Sequence, residues 1–153
     1  MQRLFWALDR VVVTFWVGGL WVTGYVVAPL LFARLPSRQL AGTMAGTLFS
    51  WIAYLALGCA LYALVYRLGR LGLGALKQPV FWVILLMAAL AAAGQFGVQP
   101  ILASLKDQAL PREVMESVFR DRFAAWHGVS SILYLVESAL GLVLVLLTSR
   151  EGR

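Results

Sequence analysis

The charged residues of this 153-residue chain fall in clusters, and the stretches between them are almost wholly apolar. No Asp, Glu, Lys or Arg lies between Arg10 and Arg34, between Arg38 and Arg67, or between Lys77 and Lys106. A fourth block, Arg122 to Arg150, is interrupted by His127 and Glu137 alone. An α-helix rises about 1.5 Å per residue, so about 20 apolar residues cross the roughly 30 Å of bilayer hydrocarbon. Every block is long enough. The pattern predicts an all-α, polytopic membrane protein, with four transmembrane helices in a bundle near residues 11–32, 44–66, 80–102 and 126–148. The whole chain, 1–153, then forms a single domain. The first block follows Arg3 and Arg10 as a signal peptide would, but its apolar run is too long for a signal core and no A-x-A site follows it. It reads as a retained helix.

Within the last block the polar residues are not scattered. Rotating about 100° per residue from His127 puts Ser131, Tyr134, Ser138 and Gly141 within about 40° of it, with Ser130 and Glu137 slightly further round. The remaining face is Ile132, Leu133, Leu135, Val136 and Leu140. An intramembrane carboxylate costs about 2.5–3.5 kcal/mol or more. Glu137 is therefore expected to face the bundle interior or water, protonated or hydrogen-bonded. Gln95 and Gln99, one turn apart on the third span, fall near the depth of His127. The expected intramembrane polar site is His127, Ser130, Ser131, Tyr134, Glu137, Gln95 and Gln99, opening away from the termini. The same residues also suit plain hydrogen-bonded glue between helices.

Small residues recur at four-residue spacing in the second span: Gly42, Gly46 and Ser50, continuing through Tyr54, Gly58 and Tyr62. The third span has Ala89, Ala93 and Gly97, and the first has Gly18. In lipid, close backbone approach and polar bonds hold helices together. Gly18, Gly42, Gly46, Ser50, Ala93 and Gly97 are thus expected to pack helices, either within one bundle or between copies in a homo-oligomer. Pro29 and Pro100 are expected to end or kink spans one and three.

Ahead of the fourth span, Pro111 is placed to open a helix, and Met115, Val118, Phe119, Arg122, Phe123 and Trp126 recur at three and four. Glu116 and Arg120 stand in the favourable order for a helical ion pair. An amphipathic interfacial helix is predicted here, as a lead-in to the span or as a lid over it.

Composition sharpens the class. Hydrophobic residues make up 61% and charged residues 13% of the chain, so lipid is its natural solvent and the bilayer its first partner. The net charge of +6 lies in links between apolar blocks, without a basic face, which argues against nucleic acid. The link Arg67–Lys77 is short and carries three basic residues and no acid. By the positive-inside rule this puts both termini in the cytoplasm. Cys59 stands alone in an apolar block and reads as a small buried hydrophobe. One His, one Cys and scattered Met residues make no convincing metal set, and no cofactor motif is present.

Several motifs then combine. Gly18-Gly19-Leu-Trp21 runs on to Gly24-Tyr25-Val-Val-Ala-Pro29-Leu-Leu-Phe32; Leu35-Pro36, Ala41-Gly42 and Ala45-Gly46-Thr-Leu-Phe49 follow, and Phe123 through His127-Gly128-Val-Ser130 closes the set. Together they resemble the transmembrane protein 205-like family, called in bacteria domain of unknown function 4149. The resemblance implies a small four-helix membrane protein, in bacteria one of the cell inner membrane. It also implies eukaryotic relatives associated with resistance to platinum drugs. Glu137 and Gln95 match no motif of that family and rest on the helical stripe alone.

Two functions follow from these features. One is a small transporter- or channel-like protein that handles a cation or small polar solute at the polar site. The other is a non-catalytic interaction or assembly subunit whose stripe is glue. Without a nucleophile or metal set, no enzyme is expected.

Overall fold

In lipid each backbone polar group must be satisfied within its own segment, so an apolar chain of this kind resolves into helices. The computed structural model describes residues 2–110 and 114–150, and side chains from residue 5 onward. Among the described residues there is no strand. Four helical rods are long and apolar enough to cross a membrane: Phe5–Arg34, Arg38–Lys77, Pro79–Ala109 and Arg120–Arg150. They outrun the charge-free blocks because Arg and Lys at their ends can reach the headgroup layer while the helix continues.

The first rod is α1 (Gln2–Val22), a π-helical turn Thr23–Val27, and α2 (Ala28–Arg34). The third repeats the design: α4 (Pro79–Ala92), a π-turn Ala93–Val98, and α5 (Gln99–Ala109). The second rod is α3 (Arg38–Leu71) with a 3-10 extension Gly72–Lys77, and the fourth is α6 (Arg120–Arg150).

Both π-turns sit just ahead of Pro29 and Pro100, and the helices do not end there. A proline ring presses on the carbonyl four residues back and removes one N–H. Here the ladder widens instead. The Ala28 N–H bonds the Thr23 carbonyl and the Gln99 N–H bonds the Gly94 carbonyl, each five residues back. The helices pass through the prolines and keep spanning.

The links follow local rules. Leu35 is extended, as a residue before proline must be. Ser37 caps α3, its hydroxyl oxygen accepting from Leu40 N at 3.1 Å. Gly72, with φ +55°, closes α3 in the left-handed region. Pro79 opens α4.

The interfacial helix takes another form. A 3-10 turn at Val114–Glu116 is followed by a bend, and α6 begins only at Arg120. The Ser117 hydroxyl donates to the Val114 carbonyl at 2.8 Å and accepts from Phe119 N at 3.1 Å, a side-chain turn that competes with helix. Glu116 and Arg120 therefore share no helix, and Arg120 pairs with Asp121 at the surface instead. Pro111 and Arg112 lie outside the described residues.

Each rod packs against its neighbours in sequence, and α1 closes the ring against α6. The core is Val13, Trp16 and Val17 from the first rod, Ala56, Cys59, Ala60 and Ala63 from the second, Val80, Ile84, Met87 and Ala91 from the third, and Leu144 from the fourth. All of these lie in the half of the bundle nearer the termini. Small residues do admit close approach, as expected, but mostly not at the expected positions. Ala41 and Ala45, one place before Gly42 and Gly46, are the buried ones, with Ala56, Ala60 and Ala63 below them. A Cβ added at Gly18 or Gly97 would meet nothing within 4 Å, and Ala93 is exposed. Ser50 is half-buried. The glycines that permit contact are Gly141, where a Cβ would lie 3.1 Å from Val17, and Gly24, where it would overlap the Tyr134 ring.

Candidate functional site

The inward face of α6 is set by packing. Glu137, Ser138, Gly141, Leu144 and Thr148 are its buried residues. This face is centred roughly 60° round the helix from His127, taking 100° per residue. His127 and Ser131 are consequently exposed. The expectation that both ionisable groups of the fourth span turn inward holds for Glu137 and fails for His127. The imidazole stacks on Phe123 of its own helix, with ring centroids 5.8 Å apart and planes 7° apart. The Ser131 hydroxyl donates to the His127 carbonyl at 2.9 Å, within α6. Neither joins a cluster with Gln95 and Gln99.

Glu137 is 7% exposed, and its Oε1 has no hydrogen-bond partner among the described residues. The same is true of Ser138 Oγ and Gln95 Oε1. Ser138 is 6% exposed; Gln95, Gln99 and Ser130 are half-buried. The π-turn that carries Gln95 packs against α6.

Around the carboxyl, the first rod is tied to α6 by two side chains. The Trp21 indole N–H donates to the Ser138 carbonyl at 3.2 Å. The Tyr134 hydroxyl donates to the Leu20 carbonyl, and its ring is flanked edge-on by Phe49 and Tyr25. Gly24 lies under that ring, so the first π-turn and the bare Gly24 backbone together admit Tyr134. On the termini side of Glu137 the interior is closed by Trp16, Ile84, Met87 and Leu144, each 0% exposed.

Two polar features lie outside the expected set. Asp9 and Arg67 form a buried ion pair between α1 and α3. Arg67 Nη1 donates to Asp9 Oδ1 at 2.8 Å and Nη2 to Oδ2 at 3.3 Å, while Nη1 also reaches the Ala63 carbonyl at 3.2 Å. Arg67 is thus no loop charge but a helical residue 3% exposed. Only Arg70 and Lys77 of the three basic residues between 67 and 77 are left as exposed charges of this link. Asp9 is the sole acid before Asp107, so it is the one carboxylate that the first two rods offer a buried arginine. The second feature is Lys106, whose ammonium donates to the Gly42 carbonyl at 3.1 Å and lies 5.8 Å from the Phe123 ring centroid. A Cβ added at Gly42 or Gly46 would sit 3.9 or 3.8 Å from it. The glycine seam there accommodates a lysine rather than a helix backbone.

An unpartnered carboxyl oxygen inside a bundle attracts a proton, a cation or water. Among the described residues no three His, Cys, Asp or Glu side chains gather in a metal-holding group.

Fold and site define a polytopic α-helical membrane protein with one carboxyl group buried at mid-span. The chain belongs to the family described as "Domain of unknown function (DUF4149)", which matches residues 11–111. That stretch covers most of the first rod and all of the second and third, and ends before the fourth, which carries Glu137. No curated protein and no solved structure matches the chain.

Proposed function

We propose that this protein is a small transporter- or channel-like membrane protein that handles a cation or small polar solute, with Glu137 as its intramembrane binding group. The observation that supports this most is the Glu137 carboxyl, 7% exposed with an oxygen that no described residue satisfies. A purely structural carboxyl at such depth would be expected to spend both oxygens on neighbours. Gln95 and Ser138 add two more oxygens without partners. They suit a hard cation or a hydrated solute better than a soft metal. His127 has no place in this centre. Four spans are few for a pathway, so a homo-oligomer belongs to the proposal. So does a cell inner membrane with both termini cytoplasmic, and so does the absence of enzymatic activity. Kinship with the transmembrane protein 205-like family is kept as part of the reading: its motifs in spans one and two lie inside the family match, and Phe123 to Ser130 outside it.

The test is flux across liposomes loaded with ion-sensitive dyes for H⁺, Na⁺ and K⁺, using wild type and Glu137→Gln. Flux in wild type that Glu137→Gln abolishes, with unchanged thermal stability, supports the reading. Flux unaltered by Glu137→Gln overturns it.

A second reading has its own support. Trp21 to Ser138 and Tyr134 to Leu20 use the stripe as inter-helix glue. On that reading the protein is a non-catalytic assembly subunit, and Glu137→Gln changes copurification with a partner while no flux is measured in any form.

A further inference from the structure

Glu137 is shut in along the bundle axis from both directions. The rods pack in sequence order and the ring closes, so the second and fourth stand diagonally and meet only across the axis. Phe49 of the second rod and Tyr134 of the fourth make such a contact, edge to face, with centroids 5.1 Å apart and planes at 77°. The two rings therefore lie on the axis. α6 starts from the end away from the termini, so Tyr134, three residues before Glu137, stands about 4.5 Å nearer that end. On the termini side the axis is filled by Trp16, Ile84, Met87 and Leu144.

The two closures differ in kind. The termini-side one is four side chains with nothing exposed, and packing of that density yields only when the core yields. The aromatic one is looser, since Tyr134 and Phe49 are each half-buried. Tyr134 is tethered by its hydroxyl bond to the Leu20 carbonyl, and it lies over Gly24, which brings no side chain to grip the ring. Its other aromatic neighbour, Tyr25, has its centroid 6.4 Å away and is 53% exposed, so it can give way. Polarity is one-sided as well. Ser130, one turn past Tyr134 along α6, and Gln99 on α5 are half-buried polar side chains, whereas the termini-side closure belongs to the apolar core.

We propose that Tyr134 and Phe49 form a gate, through which the Glu137 site exchanges its ligand with the side of the membrane away from the termini. The inference rests on the reading of Glu137 as a binding group, and adds the direction of access and the residues that control it. Opening swings the Tyr134 ring off the axis and breaks its bond to Leu20. A ligand that enters then meets the Glu137 oxygen that no described residue satisfies.

The experiment measures how fast a charged, membrane-impermeant methanethiosulfonate labels Glu137→Cys in the full chain, in a Cys59→Ser background and in nanodiscs. With the gate intact, labelling is expected to be slow. Tyr134→Phe keeps the ring and loses the tether, and should speed labelling about fivefold, the effect of one net hydrogen bond on an opening equilibrium. Tyr134→Ala and Phe49→Ala should speed it further. Leu135→Ala, on the exposed face of α6, should leave it unchanged. Leu144→Cys, beyond Glu137 in the termini-side closure, should stay unlabelled in every background. One rate for Glu137→Cys in all backgrounds overturns the gate, as does an equal gain from Leu135→Ala and Tyr134→Ala. Labelling of Leu144→Cys together with Glu137→Cys means that the whole bundle has loosened, and overturns it too. The transport reading fails separately. If flux is unaltered by Glu137→Gln while labelling follows Tyr134 and Phe49, access is gated but transport is not the function; if Glu137→Gln abolishes flux while labelling ignores both rings, the gate alone falls.

Discussion

At the scale of single residues, one buried charge pair and one buried acid dominate. Asp9 and Arg67 neutralise each other between α1 and α3 with fork geometry, the arrangement that best offsets the cost of desolvating two ions. Breaking a buried ion pair by removing one partner typically costs about 3–5 kcal/mol. Asp9→Asn should therefore lower the thermal aggregation temperature in detergent far more than Arg70→Gln, an exposed change nearby. Restoring a pair by the swap Asp9→Arg with Arg67→Asp should recover part of the loss. Asp9→Asn with wild-type stability would show that the pair contributes nothing. His127 is the opposite case. It is exposed and stacked on its own helix, so His127→Ala should leave stability within about 0.5 kcal/mol of wild type, as surface substitutions usually do. Thermal melts of the two variants side by side check this.

At the scale of elements, the two π-turns tie the odd-numbered rods together in design. Each precedes a proline, and each lies in the half of the bundle away from the termini. The first one has a visible consequence: it presents Gly24 to Tyr134. Gly24→Ala would drive a methyl into the ring, and overpacking of this kind costs about 1–3 kcal/mol. The expected outcome is a destabilised protein in which Tyr134→Leu, paired with Gly24→Ala, restores part of the stability. Gly18→Ala, at a glycine with nothing near its absent side chain, should be neutral. A Gly18→Ala loss equal to that of Gly24→Ala would contradict the assigned contacts.

At the scale of the whole molecule, the four crossings were legible because charge clusters punctuate an apolar chain, and no tertiary detail alters that count. The inward turn of Glu137 was legible for the same reason, since a carboxyl at mid-span has few tolerable places. His127 was misread because the polar arc of α6 is broad. The helix phase within that arc is set by Gly141, Leu144 and Thr148 packing inward, not by where polarity is greatest. Arg67 was misread as a loop charge because charge spacing marks where apolar runs end, not where helices do. Lys106 was overlooked because its partner is a backbone carbonyl on another rod, which no residue pattern reveals. The interfacial helix was predicted from periodicity alone, and the Ser117 side-chain turn overrode it.

Which face of the fourth rod looks inward decides whether Glu137 meets the bundle interior or lipid. Single spin labels placed along residues 124–148, in a Cys59→Ser background, read that face directly through their accessibility to dissolved oxygen. The predicted profile has minima at Glu137, Gly141, Leu144 and Thr148 and high values at Leu135, Leu142 and Leu146, which are 62%, 49% and 52% exposed. A profile with high oxygen accessibility at Glu137 and a minimum at Leu135 would place the carboxyl against lipid and contradict the account.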